Sequence, residues 1–365
     1  MTKINLVIAS ILKPIDDPRM YEKIGITLAD SQKYSVHIIG FKSKNVPAYP
    51  NINFYPLFDF NRLSFRRISA SLNIYKNLLK LKPEVIIIET PELLIVTIWY
   101  KIIYGSKLYY DILENYYYNI LYITRYPVFA KYILGFITRA VEYLSSYFVD
   151  GFMLAEKCYL SELPFLRKKI AVLENKVSHL YKSLDNPKKQ SCYHLLYSGT
   201  IAESFGIYHA INLVSKLNRL DKRFHLTIIG YCADKNEYNR FSKTIADLPF
   251  IRLIGGDYPV PHSEIMAAIH TADIGLVPYL YNRSTKDKMP TKLYEYTLYK
   301  VPMLIPGNPL WIEFCNVYNS ALDIDYDRVN IKELLMAIHS TGFYRYSVNN
   351  DTLLWDKSIL LGLFN

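Results

Sequence analysis

The chain is predicted to be an α/β protein made of two doubly wound domains. Three observations carry this expectation. Its 365 residues suffice for two domains of ordinary size. Hydrophobic residues make up 51% and charged residues 21%, a balance that supports a packed core and argues against disorder. Short apolar runs of strand length alternate with helical patterns along the chain. Repeated strand–helix–strand order builds parallel sheets with right-handed crossovers.

In order, the first half is expected to form strands at 4–9, 36–40, 85–88, 108–111, 151–154 and 170–173. Helical patterns lie between them at 19–30, 65–82, 92–104 and 128–147. The stretch KSLDNPKKQS, residues 182–191, is polar, holds a proline and has no periodicity, so it reads as a linker. Alternation then restarts, with strands at 193–197, 225–230, 251–253, 274–277 and 302–305. The matching helices are 206–220, 237–246, 263–270, 291–299 and 331–340, and 350–364 reads as one final helix. The expected domains are 1–180, 190–345 and a terminal helical segment 346–365, with a cleft between the two main domains. Ligands in open α/β sheets sit beyond the carboxyl ends of strands, so the loops after strands are the places for chemistry.

Composition narrows the function classes. Cys158, Cys192, Cys232 and Cys315 form no CxxC pair, which suits reduced thiols in a cytosolic protein and gives no metal or disulfide framework. The opening MTKINLVIAS reads as a strand, not a signal peptide. Uncharged runs reach only about a dozen residues, short of the ~18 needed to span a membrane. Net charge is +10; residues 1–175 carry 22 Lys+Arg against 15 Asp+Glu, or +7. That basic half can attract phosphates or an anionic membrane face. Nucleic-acid binding would rest on charge alone, since no recognised motif is present. Tyr116, Tyr117, Tyr118 and the helix at 128–147, with Lys131 and Arg139, fit either a membrane face or a core.

Two loops of the second half stand out. LLYSGTIAESFGIYHAINLV, residues 195–214, is strand, glycine loop, helix: Gly199 lets backbone approach a ligand, and Gly206 opens a helix whose N-terminal amides favour phosphate. The dinucleotide fingerprint GxGxxG is missing, which argues against a dehydrogenase, and no GxxxxGK[ST] is present. VPYLYNRSTKDKMPTKLYEY, residues 277–296, brings Arg283, Lys286, Lys288 and Lys292 around Asp287, then Pro290 as a favourable first helical residue. Such a loop can cradle a diphosphate. Glu295, two turns into the helix, can take both hydroxyls of a ribose, as an acidic residue does in dinucleotide folds. Alternatively it only forms a helical i,i+3 pair with Lys292.

Residues 290–296, Pro-x-Lys-Leu-Tyr-Glu-Tyr, followed by Lys300-Val301-Pro302, resemble the nucleotide-sugar motif of GT-B fold glycosyltransferases, particularly the retaining family 4. YSGTIAESFGI looks like that family's first loop in its C-terminal domain, and VLENKV, with Asn175, like its interdomain segment. Asp16-Asp17-Pro18-Arg19 is similar to the D-x-R opening of a polysaccharide-assembly subgroup. Tyr110-Asp111-Ile112-Leu113-Glu114 resembles its YD-x-HE segment. Residues 355–363 look like its terminal helix returning to the N-terminal domain.

The resemblance implies two Rossmann-like domains facing across a cleft. It implies a retaining hexosyl transfer from a nucleotide-sugar to a glycan or lipid-linked acceptor, in surface polysaccharide biosynthesis. Gly199, Thr200, Arg283, Lys288, Pro290, Lys292 and Glu295 would bind the donor. Asp111, Glu114 and Asp287 would lie at the reacting sugar, and Asp17 and Arg19 at the acceptor. No cofactor or metal is implied, and Asp323-Ile324-Asp325 is not expected to hold one. The expected location is cytoplasmic, at the inner face of a membrane with peripheral contact to anionic lipid. Thr200 and Phe205 stand where the family carries an arginine and a lysine for the diphosphate, and Leu113 stands where it carries a histidine. These departures motivate an alternative, an inactive GT-B protein that assists an active transferase.

Overall fold

The computed structural model describes residues 3–44, 46–60, 66–122, 127–183, 192–280, 285–345 and 347–364. The chain divides into two units, 1–180 with 355–365, and 181–354.

The first unit carries a seven-stranded, all-parallel sheet. Its strands are β1 (Ile4–Pro14), β2 (Tyr34–Phe41), β3 (Ile52–Phe58), β4 (Val85–Ile88), β5 (Lys107–Ile112), β6 (Gly151–Leu154) and β7 (Lys169–Val172), in the order β3-β2-β1-β4-β5-β6-β7. Uninterrupted apolar runs make the central strands: Val85–Ile88 is buried throughout, as a strand covered on both faces must be. A π-helical turn, Pro18–Gly25, leads into α1 (Ile26–Asp30). Then follow α2 (Arg66–Leu81), α3 (Leu94–Tyr104), α4 (Tyr116–Tyr122), α5 (Val128–Ser145) and α6 (Tyr159–Glu162). Helix α3 stops at Gly105, whose φ of 78° is the left-handed cap that glycine adopts without strain. Two hydrophobic clusters sandwich the sheet. One gathers Ile74, Leu78, Leu94 and Tyr100 beneath α2 and α3. The other gathers Met20, Ile24 and Leu28 with Trp355, Leu360 and Leu363 from the end of the chain.

The second unit has six parallel strands, β8 (Tyr193–Thr200), β9 (Phe224–Tyr231), β10 (Ile251–Gly256), β11 (Ile274–Leu276), β12 (Met303–Ile305) and β13 (Ala321–Asp323), in the order β10-β9-β8-β11-β12-β13. Its helices are α7 (Ile207–Leu220), α8 (Lys235–Ile245), α9 (His262–His270), α10 (Thr291–Leu298), α11 (Pro309–Tyr318) and α12 (Ile331–Ser340). Both sheets follow the doubly wound order in which the chain starts centrally, winds outward, and returns to wind the other way. The reversal falls between β1 and β4 in the first unit and between β8 and β11 in the second.

Several elements differ from expectation. Strand β3 was not anticipated, because Pro56 interrupts its pattern; it is an edge strand, where a missing N–H is tolerated. Helices α4, α6 and α11 are also additional. The helix expected at 350–364 is broken. A 3-10 turn at Asn350–Thr352 is followed by extended chain, in which the Trp355 amide donates to the Val177 carbonyl at 2.8 Å. Asp356 then caps α13 (Lys357–Leu363) by accepting from the Ile359 amide at 3.1 Å. Helix α13 packs against β7 and α1, within the first unit. Most of the expected linker at 182–191 lies outside the described residues.

Candidate functional site

In the second unit the switch point between β8 and β11 brings together Gly199 and Gly206 from one conspicuous loop with Pro278 and Lys292 from the other. Strand β8 ends in Gly199 and Thr200. The φ of Gly199 is 110°, and a Cβ there would stand 3.2 Å from Cε of Lys292. Glycine therefore brings the Lys292 stem down onto the backbone at the mouth of the sheet. Gly206 is a second required glycine: a Cβ would meet the Pro278 carbonyl oxygen at 1.8 Å, so the loops after β8 and β11 pack backbone against backbone. Gly275 does the same for a side chain, leaving room for the Tyr296 ring that a Cβ would approach at 2.7 Å. The Tyr296 hydroxyl lies 3.0 Å from Ser198 Oγ, pinning α10 to β8.

Helix α10 thus presents Lys292 and Glu295 at the switch point. Glu295 is 1% exposed. Its Oε2 accepts from Lys292 Nζ at 2.9 Å, and its Oε1 lies 2.8 Å from His262 Nε2. Burial alone would raise its pKa. The Lys292 ammonium and the His262 hydrogen bond more than offset that and hold the carboxyl below the usual range. Glu295 is therefore a buried, ionised acceptor, not a solvated helix residue. Each oxygen keeps lone-pair capacity beyond its present bond, and Lys292 has three N–H donors of which Glu295 takes one. His262 is the first residue of α9, and its ring meets Tyr181 edge-on at 5.2 Å.

The loop between β11 and α10 is stapled from below. Asn308 caps α11, accepting from the Leu310 amide at 3.0 Å, and donates to the Lys286 carbonyl at 3.0 Å. Trp311 Nε1 donates to the Lys288 carbonyl at 2.7 Å. These bonds fix the backbone that carries Lys286, Asp287 and Lys288. Asp287 is exposed and lies 3.6 Å from Lys286 Nζ. Arg283 lies outside the described residues. Phe205 packs edge-on against Tyr279 at 5.1 Å, and Tyr279 against Trp311 at 6.0 Å, an aromatic row where the resemblance calls for a lysine.

In the first unit the switch point between β1 and β4 holds a second polar cluster. Asp17 accepts from the Arg19 amide at 2.9 Å and the Met20 amide at 3.3 Å, capping the π-helical turn. Arg19 is buried. Its Nε and Nη2 grip Asp111 at 2.7 and 2.6 Å, and its Nη1 donates to the Leu173 carbonyl at 2.7 Å and to Asn175 Oδ1 at 2.8 Å. The Trp355 ring lies 5.3 Å from the guanidinium carbon. Four of the five guanidinium N–H groups are thus committed. Arg19, expected at the acceptor, is turned inward, and Asp111, expected at the reacting sugar, is wholly buried as its partner. Glu114 is exposed and accepts from Asn119 Nδ2.

Two site residues escaped the sequence reading. His262 sits in a PHSE helix start that carries no metal spacing, and its partner Glu295 is 33 positions away. Glu89 follows β4 and is wholly buried. Neither carboxyl oxygen meets a hydrogen-bond partner among the described residues. Burial, then Asp17 and Asp111, push its pKa well up, against the pull of Lys13 and Arg19. The other histidines have plain partners: His209 lies 3.1 Å from Asp327, and His225 stacks on His194. Asp323 ends β13, and among the described residues no group of three His, Cys, Asp or Glu could hold a metal ion.

No family model and no curated protein matches this sequence. Solved structures do match in shape. Sucrose-phosphate synthase from Thermosynechococcus elongatus superposes with a TM-score of 0.67 at 10% identity, covering 100% of this chain and 95% of that one. MnaA of S. aureus, solved with UDP, gives 0.59 at 10% identity with the same coverage. A glycosyltransferase from Rickettsia africae gives 0.57 at 13% identity, again over 100% and 95%. These likenesses fix the fold: two Rossmann-like domains of the GT-B type.

Proposed function

We propose that this chain is a glycosyltransferase that moves a sugar from a nucleotide-sugar donor to a glycan or lipid-linked acceptor, with retention of configuration, in surface polysaccharide biosynthesis. The observation that carries this reading is Glu295: a buried carboxylate, held ionised by Lys292 and His262, at the switch point of the second sheet. A carboxylate so placed accepts from a ribose diol. Lys292, beside Gly199, directs its remaining N–H groups at the diphosphate, with Lys288 and Arg283 supplying further charge. Thr200, which ends β8, and Pro290, at the start of α10, would border the same donor site.

Glycosyl transfer leaves negative charge on the departing diphosphate while the sugar becomes oxocarbenium-like. Fixed cations and a helix N-terminus aimed at the leaving oxygen lower that barrier without reorganising. Asp287 would stand near the donor sugar. In the first unit Asp17 and Glu114 would receive the acceptor, while Arg19 and Asp111 shape the floor beneath them. No carboxylate pair of the hydrolase kind is needed.

Thr200, Phe205 and Leu113 support a second reading, an inactive GT-B protein that assists an active transferase. Calorimetry with UDP, GDP, ADP, CMP and their common sugar conjugates separates the two. Binding of one nucleoside diphosphate, lost in Glu295→Ala, is expected. Binding of none by the folded wild type would move the weight to the accessory reading. Unchanged affinity in Lys288→Ala and Arg283→Ala would remove those two side chains from the diphosphate.

A further inference from the structure

Helices α2, α3 and α5 cover one face of the first sheet; α2 and α3 each bury an apolar side against it, but α5 is built the wrong way round for that task, and α3 carries further apolar residues outward. A helix on a globular domain turns its apolar stripe inward. The buried residues of α5 are Gly135, Glu142 and Ser145. Its large apolar residues point outward instead: Phe129 is 77% exposed, Phe136 72% and Leu144 65%. On α3, Trp99 and Ile102 are each 60% exposed. Between these helices runs a groove of about 520 Å³, lined by Leu72 from α2, Trp99 and Ile102 from α3, and Leu144 from α5, so the apolar surfaces are continuous. A patch of this extent marks an interaction surface.

Charge selects the occupant. Helices α2 to α5 carry seven cations, Arg66, Arg67, Lys76, Lys80, Lys101, Lys131 and Arg139, against one acid, Glu142. Glu142 is buried and faces Arg139 at 3.2 Å. Arg67 and Lys101 pair with Glu92 and Asp150 just outside these helices, so Arg66, Lys76, Lys80 and Lys131 carry the face's positive charge. A second copy of the chain would bring the same cations face to face. Exposed aromatic and aliphatic side chains within a field of lysine and arginine match the headgroup boundary of an anionic bilayer. Among the described residues no helix is long and apolar enough to cross a membrane. We propose that the α2–α3–α5 face seats the protein on the surface of an anionic membrane, with Phe129, Phe136, Leu144 and Trp99 in the acyl boundary and the lysines among the headgroups. The proposal does not depend on the nucleotide-sugar reading.

The test is co-sedimentation of the full chain with vesicles of phosphatidylglycerol and phosphatidylcholine, or of phosphatidylcholine alone. Wild type is expected to bind the anionic vesicles, and to release as salt rises. Phe129→Ser with Phe136→Ser, and separately Lys76→Glu with Lys131→Glu, should each weaken partitioning by roughly tenfold or more. These side chains are on the outer surface, so thermal melting of the variants should match wild type. The proposal is overturned if wild type ignores anionic vesicles, if it binds neutral ones as well, or if variants that melt like wild type bind unchanged. Sedimentation velocity gives one further overturning result: a wild-type dimer that Phe129→Ser with Phe136→Ser dissociates, which would make a second copy the occupant.

Discussion

Lys292 and Glu295, one turn apart on α10, meet at 2.9 Å with the carboxylate buried. An i,i+3 pair on a helix surface contributes only tenths of a kcal/mol. Here water is excluded and His262 holds the other oxygen, so the pair fixes an anion in place. Its sign in acid follows. The folded-state pKa of Glu295 is depressed, so its contribution to stability is complete above the unfolded value of ~4.3 and fades as pH falls below it. Melting temperature followed from pH 7 downward should drop more steeply below that point in wild type than in Glu295→Gln. Parallel curves would contradict an ionised Glu295.

Gly199 controls where Lys292 lies. An alanine at a φ of 110° is strained, and its methyl would press on Lys292 Cε. Gly199→Ala is expected to lower nucleoside diphosphate affinity about tenfold, equal to about 1.4 kcal/mol. The loss should persist at temperatures where circular dichroism shows the variant fully folded. Unchanged affinity in calorimetry would detach Gly199 from the donor site.

Arg19 and Asp111 form a buried bidentate pair, and removing one partner strands the other. Asp111→Ala is expected to cost about 3–5 kcal/mol in urea unfolding. Replacing both, as Arg19→Met with Asp111→Leu, should cost less than the sum of the two single changes. Additive losses in that cycle would mean that the two side chains act independently.

Glu89 behaves in the opposite sense to Glu295. Its folded-state pKa is raised, so the native state keeps a proton that the unfolded chain releases. Stability contributed by this group is present below ~4.3 and is lost as pH rises above it, up to the folded-state value. Glu89→Gln lacks that loss. The difference in unfolding free energy between variant and wild type should therefore grow from pH 4 toward neutrality. A difference that is flat with pH would show that Glu89 is not titrating in this way.

The fold was legible where physical constraints are local. Val85–Ile88 and Gly151–Leu154 are short apolar runs between polar turns, and the strands begin and end there. Ile52–Phe58 was not legible, because an edge position, which forgives Pro56, is a property of the assembled sheet. The terminal helix failed for a related reason: Trp355 is drawn into a core built by residues far earlier in the chain. At the site, the helix carrying Lys292 and Glu295 announced itself through Pro290 and its charge pattern. His262 did not, since it lies 33 positions from Glu295 and only the packing of α9 against α10 brings the two together. Glu89 was hidden for the same reason, as a carboxylate after an apolar strand has no helical or motif spacing to mark it.

The first unit is not one stretch of chain: it takes 1–180 and then 355–365. Synthesis on the ribosome runs from the N-terminus, and domains that are contiguous fold as they emerge. Here that order is inverted. The second unit, though encoded later, is complete once residue 354 has emerged, while the earlier unit still lacks Trp355, Leu360 and Leu363 from one of its two hydrophobic clusters. Residues 355–365 thus complete the first unit only after the chain of the second has been made.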